Sequence, residues 1–283
     1  MHKRFNIPGF FALIIIALTF FVAVFAYYLA PDSSPYANEM HLELSLLEPQ
    51  TKVTFIKLRN DNTTDVSFFH RLIYGEKNNY RPVPVNTFTL KENELEYVPY
   101  NSFYKKKLKF SELQGDTPDG YSYVRIYHLG TDKYGRDLLS RLMVATRISL
   151  AVGFISVFIS LVIGITLGLI SGYYGSWVDK AIMWLINVVW SIPTLLMVIA
   201  ISLALGKGFW QVFVAVGLTM WVEVARVVRG QVMGLKKMEY IQAAQVLGFG
   251  NIRIMFAHIL PNIMSPVIVI CAANFASAIL LEA

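Results

Sequence analysis

The sequence has only one cysteine and few charged residues. Cys271 lies in an apolar run and has no second cysteine to pair with, so an intrachain disulfide and a metal site made of cysteines are both excluded. Charged residues make up only 16% of the 283 residues, whereas hydrophobic residues make up 55%, and the mean hydropathy is +0.49. This composition is typical of a polytopic membrane protein rather than of a soluble domain.

A phosphate-binding loop of the form GxxxxGKS or GxxxxGKT is also absent, so the sequence shows no ATP-binding motif of this kind. The sequence Gly206-Lys-Gly208 is interpreted instead as a turn at the membrane edge. The net charge of +6 does not indicate a nucleic-acid-binding protein, because basic loops set the orientation of a membrane protein. Without the phosphate-binding loop, we expect no ATP hydrolysis by this chain itself.

Five apolar runs can span a bilayer or nearly do so. Residues 7–30 carry no charge, and they favour an uncleaved anchor over a signal peptide, whose apolar core would be shorter. In the second run, the spacing of Gly164, Gly168 and Gly172 allows a neighbouring helix to approach closely. In the third run, Pro193 predicts a kink. The four later runs cover residues 148–170, 181–205, 208–228 and 259–281.

The expected fold is an all-α polytopic membrane protein with five transmembrane helices and a long external insertion after the first. The first helix occupies residues 1–30, the insertion residues 31–127 and the remaining membrane domain residues 128–283. Seven prolines predict a loop-rich insertion, although alternation at residues 52–59 predicts a β-strand within it. The chain ends inside or just past the fifth helix, and we expect it to be truncated there.

The basic residues predict an orientation in the membrane. The N-terminus carries two of them and the segment 236–261 carries three. The positive-inside rule places both on the cytoplasmic side, and counting the spans between them puts residues 31–146 outside.

Glu223, Arg226 and Arg229 lie toward the end of the fourth apolar run. Their spacing allows them to pair along one helix face. An ionisable residue inside a membrane helix is a candidate functional residue. At a helix end, however, a charged side chain reaches the interface at little cost, so a structural role is favoured.

A polar motif at residues 128–141 precedes the second apolar run. Its Gly-Thr-Asp turn is expected to cap a helix on which Asp137 and Arg141 share one face. Without a partnered histidine or a metal cluster, a capped helix at the membrane surface is favoured over a catalytic site. The residues assigned to this interfacial motif are Gly130, Thr131, Asp132, Gly135, Arg136, Asp137 and Arg141.

The semi-polar segment 236–261 separates the last two apolar runs and is long enough for two short helices. Gly248 is expected to end the first helix and Asn251 to cap the second. A docking element for a partner protein and a helix lying on the bilayer both fit this pattern. The apolar face predicted for the first helix consists of Met238, Ile241, Ala244 and Leu247.

Ala243-Ala244-x-x-x-Gly248, followed by His258-Ile-Leu-Pro261, resembles the EAA loop of ABC importer permeases. The motif at residues 128–141 resembles the C-type subunit of dipeptide and oligopeptide permeases, and the likeness covers residues 128–283 and the first helix. Gln242 stands where that family has a glutamate, although Glu239 lies one turn earlier. The loop positions carried over by this resemblance are Glu239, Gln242, Ala243, Ala244, Gly248, His258 and Pro261.

The resemblance implies a transmembrane permease subunit of an ATP-driven importer of di- and oligopeptides in the bacterial inner membrane. In that family the loop is a coupling helix seated in a groove of a cytoplasmic ATPase, whose closure alternates the access of the membrane helices. The implied partners are a second permease subunit, ATPase subunits that bind ATP and Mg²⁺, and an external solute-binding protein. This chain would hold no cofactor, and the family would add a sixth helix beyond residue 283. The same branch carries nickel and other small solutes, so the substrate stays open.

Two other classes of protein are considered. An ATPase-independent secondary transporter or channel would be expected to show paired charges or broken helices at mid-depth, and four of the apolar runs contain no charge. A membrane-anchored sensor that binds ligand through residues 31–127 would not need the segment 236–261. Both therefore rank below the importer permease.

Overall fold

The computed structural model of the protein describes residues 7–60, 66–91, 94–115, 120–206 and 208–282. The chain divides into two compact units, Met1–Ile148 and Ser149–Ala283, called the N-terminal and C-terminal units below. The division falls within one long helix rather than between residues 127 and 128, where the hydropathy pattern divides the chain.

The N-terminal unit begins with the apolar helix α1 (Ile7–Val24), followed by the single turn α2 (Ala26–Leu29). In α1 the side chain of Ala23 is the buried one, so the helix exposes apolar side chains on all sides, as a helix surrounded by lipid would. Ala26 and Tyr27 of α2 are buried and pack in one cluster with Val144.

The insertion forms a five-stranded antiparallel sheet with the order β4-β3-β2-β1-β5. The strand predicted at residues 52–59 is confirmed, but the insertion is far more ordered than its prolines suggested. A short helix, α3 (Phe68–Tyr74), connects β1 to β2. The strands are β1 (Thr51–Arg59), β2 (Tyr80–Leu90), β3 (Glu94–Pro99), β4 (Lys106–Lys109) and β5 (Ser122–Tyr127).

Two prolines fit into β2 because of where the sheet pairing starts. Pro82 and Pro84 are paired with Lys57 and Phe55 of β1. The pairing of β2 with β3 begins only at Val85, opposite Pro99. The first half of β2 therefore behaves as an edge strand, where a missing backbone N–H costs no ladder hydrogen bond. The number of prolines alone would therefore wrongly predict a loop where this strand lies.

Successive residues of β1 pack into cores on opposite sides of the sheet, as the pleat requires. Val53 and Phe55 belong to one buried cluster with Leu44 and Tyr127. Ile56 belongs to the other, with residues of β2 and β3. The N-terminal unit thus has its own hydrophobic core outside the transmembrane helices.

The rest of the chain is helical. Four segments, including α1, are long and apolar enough to cross a membrane, and the pair α5 and α6 makes a fifth if it is one broken span. The prediction of a polytopic helical membrane protein is therefore confirmed, with four candidate spans, or five if the bent pair is one span. The elements are α4 (Leu138–Tyr174), α5 (Ser176–Trp190), α6 (Thr194–Ala204), α7 (Phe209–Leu235), α8 (Glu239–Val246), α9 (Asn251–Arg253), a π-helical turn (Ile254–Ile259) and α10 (Leu260–Glu282).

Two sequence predictions about these helices are confirmed. α5 and α6 are bent by 91° at a break that ends with Pro193. The glycines of α4 let α7 approach closely: a Cβ on Gly164 would lie 2.6 Å from Cβ of Val224. A Cβ on Gly168 would lie 2.7 Å from the carbonyl oxygen of Ala225. Neither helix could approach so closely with larger residues at these positions.

The predicted pairing of Glu223 with Arg226 and Arg229 is wrong. Nε and Nη2 of Arg229 instead bind Oδ1 and Oδ2 of Asp179 on α5, at 2.5 and 2.7 Å. The guanidinium of Arg226 lies 3.7 Å from the ring centroid of Trp190. The three residues do not end the helix either, because α7 continues to Leu235 and leaves Glu223 near its middle.

Candidate functional site

The segment 236–261, called the boundary segment below, forms two short helices joined by a glycine turn. The φ of Gly248 is +76°, in the left-handed region that favours glycine. Its amide donates to the carbonyl of Gln245 at 3.0 Å. The amide of Phe249 donates to the carbonyl of Ala244 at 3.1 Å, which completes a Schellman motif. The prediction that Gly248 ends the first helix is confirmed.

One side of α8 packs into the core of the C-terminal unit. Ile241 and Ala244 are buried, in agreement with the predicted apolar face. Met238 and Leu247 are 50% and 73% exposed. The prediction that these two residues belong to the buried apolar face is therefore wrong. The core cluster around Ile241 contains Leu169 and Tyr173 of α4, Val224, Val228 and Val232 of α7, Ile254, Met255 and Ile259 of the π turn, and Ile263 and Val267 of α10.

The opposite side of α8 is exposed and largely uncharged. The adjacent residues Ala243 and Ala244 have different environments, because Ala243 is exposed while Ala244 packs inside. Val246 is 88% exposed, although it is apolar. Grouped exposed apolar residues of this kind mark interaction sites. The exposed surface, called the outer face below, consists of Glu239, Gln242, Ala243, Val246 and Ile252.

Asn251 does not cap α9, contrary to the prediction. The N-cap residue is Gly250, which makes no side-chain cap hydrogen bond. Oδ1 of Asn251 accepts a 2.9 Å hydrogen bond from the phenol of Tyr173, a buried residue at the end of α4. The carbonyl of Tyr173 accepts from Nζ of Lys236 at 2.6 Å. Tyr173 thus ties the start and the middle of the boundary segment to α4, and the sequence analysis missed it.

His258 and Pro261 lie where the boundary segment joins α10. The imidazole of His258 stacks on Phe249, with ring centroids 5.7 Å apart and an interplanar angle of 14°. The guanidinium of Arg253 lies 4.4 Å from the centroid of the same ring. Pro261 is the second residue of α10, just after the π turn, where its missing N–H cannot continue the regular α-helical ladder. These contacts hold the turn in a defined shape.

The interfacial motif at residues 128–141 has a different structure from the one predicted. α4 begins at Leu138 and is capped by Asp137, not by the Gly-Thr-Asp turn. Oδ2 of Asp137 accepts hydrogen bonds from the amide of Ser140, at 2.8 Å, and from its hydroxyl. Asp137 and Arg141 do not pair, because Arg141 binds Oδ2 of Asp132 at 2.5 Å.

Asp132 organises the turn of the interfacial motif. Its Oδ1 accepts from the amides of Tyr134 and Arg136, at 2.8 and 3.0 Å. Nε of Arg136 donates to its Oδ2 at 2.8 Å. Burial raises the pKa of Asp132, but the hydrogen bonds from Arg136, Tyr134 and Arg141 outweigh it and lower the pKa to about 2. The carboxylate therefore stays ionised and holds the loop closed.

The remaining motif residues pack this loop against the chain that follows α2. The hydroxyl of the buried Thr131 accepts from the amide of Leu47 at 2.8 Å and donates to the carbonyl of Leu44. Gly130 and Gly135 have φ values of +76° and +72°. A Cβ on Gly135 would lie 1.7 Å from a backbone carbonyl, so only glycine fits there. The motif is a structural support in the N-terminal unit rather than a reactive site.

The part of the chain that the structure describes contains no group of three or more His, Cys, Asp or Glu side chains placed to hold a metal ion. The two sets of site residues predicted from the sequence therefore have distinct structures: one supports the N-terminal unit, and the other presents an outer face at the boundary segment.

Comparison with known proteins matches the C-terminal part of the chain to a family of transport components. The family described as binding-protein-dependent transport system inner membrane component matches residues 164–283, which include the whole boundary segment. Residues 164–283 belong to this family. The resemblance to importer permeases drawn from Ala243, Gly248 and Pro261 is thereby confirmed.

Three curated relatives are similar to this chain over about half of its length or more. The oligopeptide transport system permease protein OppC of Bacillus subtilis is 40% identical over 154 residues, which are 54% of this chain and 50% of the relative. The dipeptide permease protein DppC of Alkalihalophilus pseudofirmus is 37% identical over 180 residues, 64% of this chain and 57% of the relative. The glutathione permease protein GsiD of Pectobacterium atrosepticum is 40% identical over 155 residues, 55% and 52%. The chain spans about half the length of the curated relatives it matches.

Proposed function

We propose that this chain is a transmembrane permease subunit of an ATP-driven ABC importer of di- or oligopeptides. The observation that carries the proposal is the two-sided structure of α8. Its outer face is exposed, uncharged except for Glu239, and apolar at Ala243 and Val246. Its inner face is part of the core that joins α4, α7 and α10. The family match and the relatives named for peptide and glutathione transport support the proposal.

The boundary segment would act as a mechanical coupling element. Coupling needs a contact that two partners share and whose displacement moves a two-state element. A protein seated on the outer face would push against Ala243 and Val246, and Ile241 and Ala244 would pass the displacement to the spanning helices. Close-packed interiors transmit such strain because they have little free volume.

The partners follow from the same proposal. ATP and Mg²⁺ would bind to cytoplasmic ATPase subunits that dock on the outer face, and this chain would itself catalyse no hydrolysis. A second permease subunit would complete the pathway, and an external solute-binding protein would deliver the peptide. The N-terminus and the boundary segment would then be cytoplasmic, residues 31–146 external, and the location the bacterial inner membrane.

One observation favours the alternative, an ATPase-independent transporter. The spanning helices include a break at Pro193, and a carboxylate, Glu223, lies at mid-helix nearby. Broken helices and ionisable groups at mid-helix are features of ion-coupled transporters. A docking test on the outer face separates the two functions.

The test is cysteine crosslinking from Ala243→Cys in a Cys271→Ala background to single cysteines on co-expressed ATPase subunits, with and without ATP. We expect crosslinks whose yield changes several-fold with nucleotide. Ala244→Cys is the matched control, because this neighbour is buried and should crosslink poorly. Absence of any crosslink from Ala243→Cys in a membrane-inserted complex would sink the importer function and favour the alternative.

A further inference from the structure

Glu223 occupies an unusual position for a carboxylate. α7 runs from Phe209 to Leu235. At 1.5 Å per residue, Glu223 lies roughly 20 Å from either end, close to the middle of a helix that is long enough to cross the bilayer. An ionisable group at such a depth is costly and marks a functional site by default.

Glu223 lines a cavity of about 360 Å³ within the C-terminal unit. The break between α5 and α6 borders this cavity through Trp190 and Thr194. Hydroxyl and amide groups from α7 and α10 also line it, namely those of Thr219, Asn274 and Ser277. The cavity therefore combines one carboxylate with several neutral oxygen-bearing side chains, a set that suits a positively charged group with N–H donors.

The nearby cations are engaged elsewhere. Arg226, one turn along α7, lies over Trp190 and donates to Oδ1 of Asn187 at 3.2 Å. Arg229 is bound to Asp179. In the described ranges of the C-terminal unit, no basic side chain lies within ion-pair distance of Glu223. Glu223 is exposed on this chain, so a partner cation for its carboxylate can come from outside the chain.

We propose that Glu223, with Thr219, Asn274 and Ser277, forms a subsite that receives the ammonium group of the transported molecule. The assignment to a transported ammonium rests on the proposed function, and a peptide with a free amino terminus has the required chemistry. The carboxylate supplies the counter-charge and the neutral oxygens accept the N–H donors. Because the transported cation must leave again, a single carboxylate suits the site better than a full cage of charges.

The test uses charged thiol reagents on Ser277→Cys in a Cys271→Ala background, in membranes that contain the assembled protein. A negative potential in the cavity should make this cysteine react faster with a cationic methanethiosulfonate than with an anionic one. The isosteric change Glu223→Gln should reduce that rate ratio on the order of tenfold. Ala243→Cys on the outer face is the control, and its rate ratio should not respond to Glu223→Gln.

A second arm identifies the ligand. Dialanine should protect Ser277→Cys from the reagent, N-acetyl-dialanine should not, and Glu223→Gln should abolish the protection. A rate ratio that ignores Glu223→Gln, or a cysteine that a partner protein makes unreactive, overturns the subsite. Equal protection by both peptides, or by neither, overturns its assignment to an ammonium group. If the Ala243→Cys crosslinking fails while the charge preference persists, the importer function falls and the cation site stands.

A second observation, independent of the first, concerns α3 in the N-terminal unit. At 100° per residue, Phe68, Phe69, Leu72 and Ile73 fall on one side of this helix, and His70 and Arg71 on the other. Phe69 is 69% exposed, and Phe68 and Ile73 are also exposed. Exposed aromatic and aliphatic side chains on one face of a short helix need an apolar partner.

The position of α3 indicates which partner. The ring of Phe68 lies 5.5 Å from that of Tyr28, at the end of the apolar helix α1–α2, and the guanidinium of Arg71 lies 4.9 Å from the same tyrosine ring. Nη1 of Arg147 caps the helix by donating to the carbonyl of Leu72 at 2.6 Å. The apolar face of α3 therefore continues the exposed apolar surface of α1 at the level where α1 leaves the hydrocarbon.

We infer that α3 lies in the bilayer surface and anchors the sheet of the N-terminal unit to lipid. Aromatic side chains inserted at the headgroup boundary and arginines beside them are typical of interfacial helices. The inference needs only that α1 spans the membrane, and it holds for either orientation of the chain.

Quenching of a fluorophore tests this inference. A nitrobenzoxadiazole label on Phe69→Cys, in the Cys271→Ala background, is compared with the same label on Phe103→Cys, a fully exposed site in the same unit. In phosphatidylcholine and phosphatidylglycerol nanodiscs, we expect acyl-chain spin labels to quench the label at residue 69 about threefold more strongly than at residue 103. Equal quenching of both sites by aqueous iodide overturns the inference, and so does protection of residue 69 from both quenchers, because protein would then cover it.

Discussion

The phenol of Tyr173 donates a 2.9 Å hydrogen bond to Oδ1 of Asn251 and so joins the end of α4 to the start of α9. Nε2 of Gln245 contacts the same phenol oxygen at 3.4 Å, and Nζ of Lys236 binds the backbone carbonyl of Tyr173 at 2.6 Å. The phenol also lies beside the core into which Ile241 packs. The boundary segment is therefore fixed to α4 by polar bonds as well as by apolar contact.

Tyr173→Phe should loosen this attachment without leaving a cavity. Loss of the hydrogen bonds to one buried hydroxyl costs about 1 kcal/mol of unfolding free energy. We expect a lower midpoint in thermal unfolding and weaker nucleotide dependence of the Ala243→Cys crosslink. Tyr174→Phe is the control, because the Tyr174 side chain is half exposed and its neighbour makes the bonds. Equal behaviour of the two variants would show that the hydroxyl of Tyr173 does not matter.

Tyr173 also shows a limit of sequence reasoning. The segment's helices, its glycine stop and its buried Ile241 follow from local spacing, which the sequence contains. A lone tyrosine at the end of a long helix has no such signature, because its partners lie 63 to 78 positions further on. Non-local polar contacts of this kind become visible only when the helices are packed.

The ion pair between Asp179 and Arg229 should hold α5 against α7. Asp179 also accepts a hydrogen bond from the hydroxyl of Ser171 on α4, so its carboxylate joins α5 to both α4 and α7. Asp179→Asn leaves the half-buried guanidinium without a counter-charge and should destabilise the protein by about 2 kcal/mol. The exchange Asp179→Arg with Arg229→Asp should recover part of this loss.

Thermal unfolding in detergent measures both effects. Lys180→Ala serves as the control for a charge change in α5, because Lys180 is next to Asp179 in sequence, is exposed and makes no ion pair with the residues that the structure describes. If the double exchange is no better than the sum of the two single changes, the pair contributes through other contacts than its charges.

Close contact between α4 and α7 predicts a sharp contrast between glycines. A Cβ on Gly168 would lie 2.7 Å from both the Ala225 carbonyl and Cβ of Val228, so Gly168→Ala should push the helices apart and cost about 1 to 3 kcal/mol. A Cβ on Gly230 would meet nothing within 4 Å. Gly230→Ala should therefore be neutral or stabilise the protein by about 0.5 to 1 kcal/mol. Thermal midpoints that change alike in the two variants would contradict the close packing.

The close approach of α7 to α4 could be predicted from the sequence, because the glycine spacing depends on one helix alone. The position of Glu223 in the middle of α7 could not be predicted in this way. The run of charges after Glu223 suggested the end of a helix, so the carboxylate was placed at the interface. α7 instead continues past Arg226 and Arg229, because each of these cations finds a partner on α5. Their pairing removes the cost of keeping them within the helix, and the partners are distant in sequence.

The N-terminal unit should lose stability in acid because the carboxylates of Glu39 and Asp132 have low pKa values. Burial raises the pKa of Glu39, but His41 and the guanidinium of Arg125, which is 2.8 Å away, lower it to about 2. The pKa of Asp132 is also about 2. A carboxylate with a depressed pKa stabilises the folded state above its ordinary pKa and loses that contribution as the pH falls through the folded value. For Glu39 the contribution is about 3 kcal/mol at neutral pH.

Unfolding midpoints of the chain should therefore stay level from pH 7 to about 5 and fall between about pH 4.5 and 2. Burial raises the pKa of Asp32, so its contribution has the opposite sign: it is present at low pH and lost as the pH rises through the raised value. Three carboxylates of the unit have lowered pKa values, because the pKa of Glu96 is also lowered by its hydrogen bond from Lys91, and Asp32 opposes them, so the fall should prevail. Glu39→Gln should be less stable at pH 7, because the buried Arg125 loses its counter-charge, and its midpoint should depend less on pH. Glu48→Gln, at an exposed site, should follow the wild type. Parallel pH curves for the wild type and Glu39→Gln would show that the ion pair with Arg125 does not set the acid sensitivity.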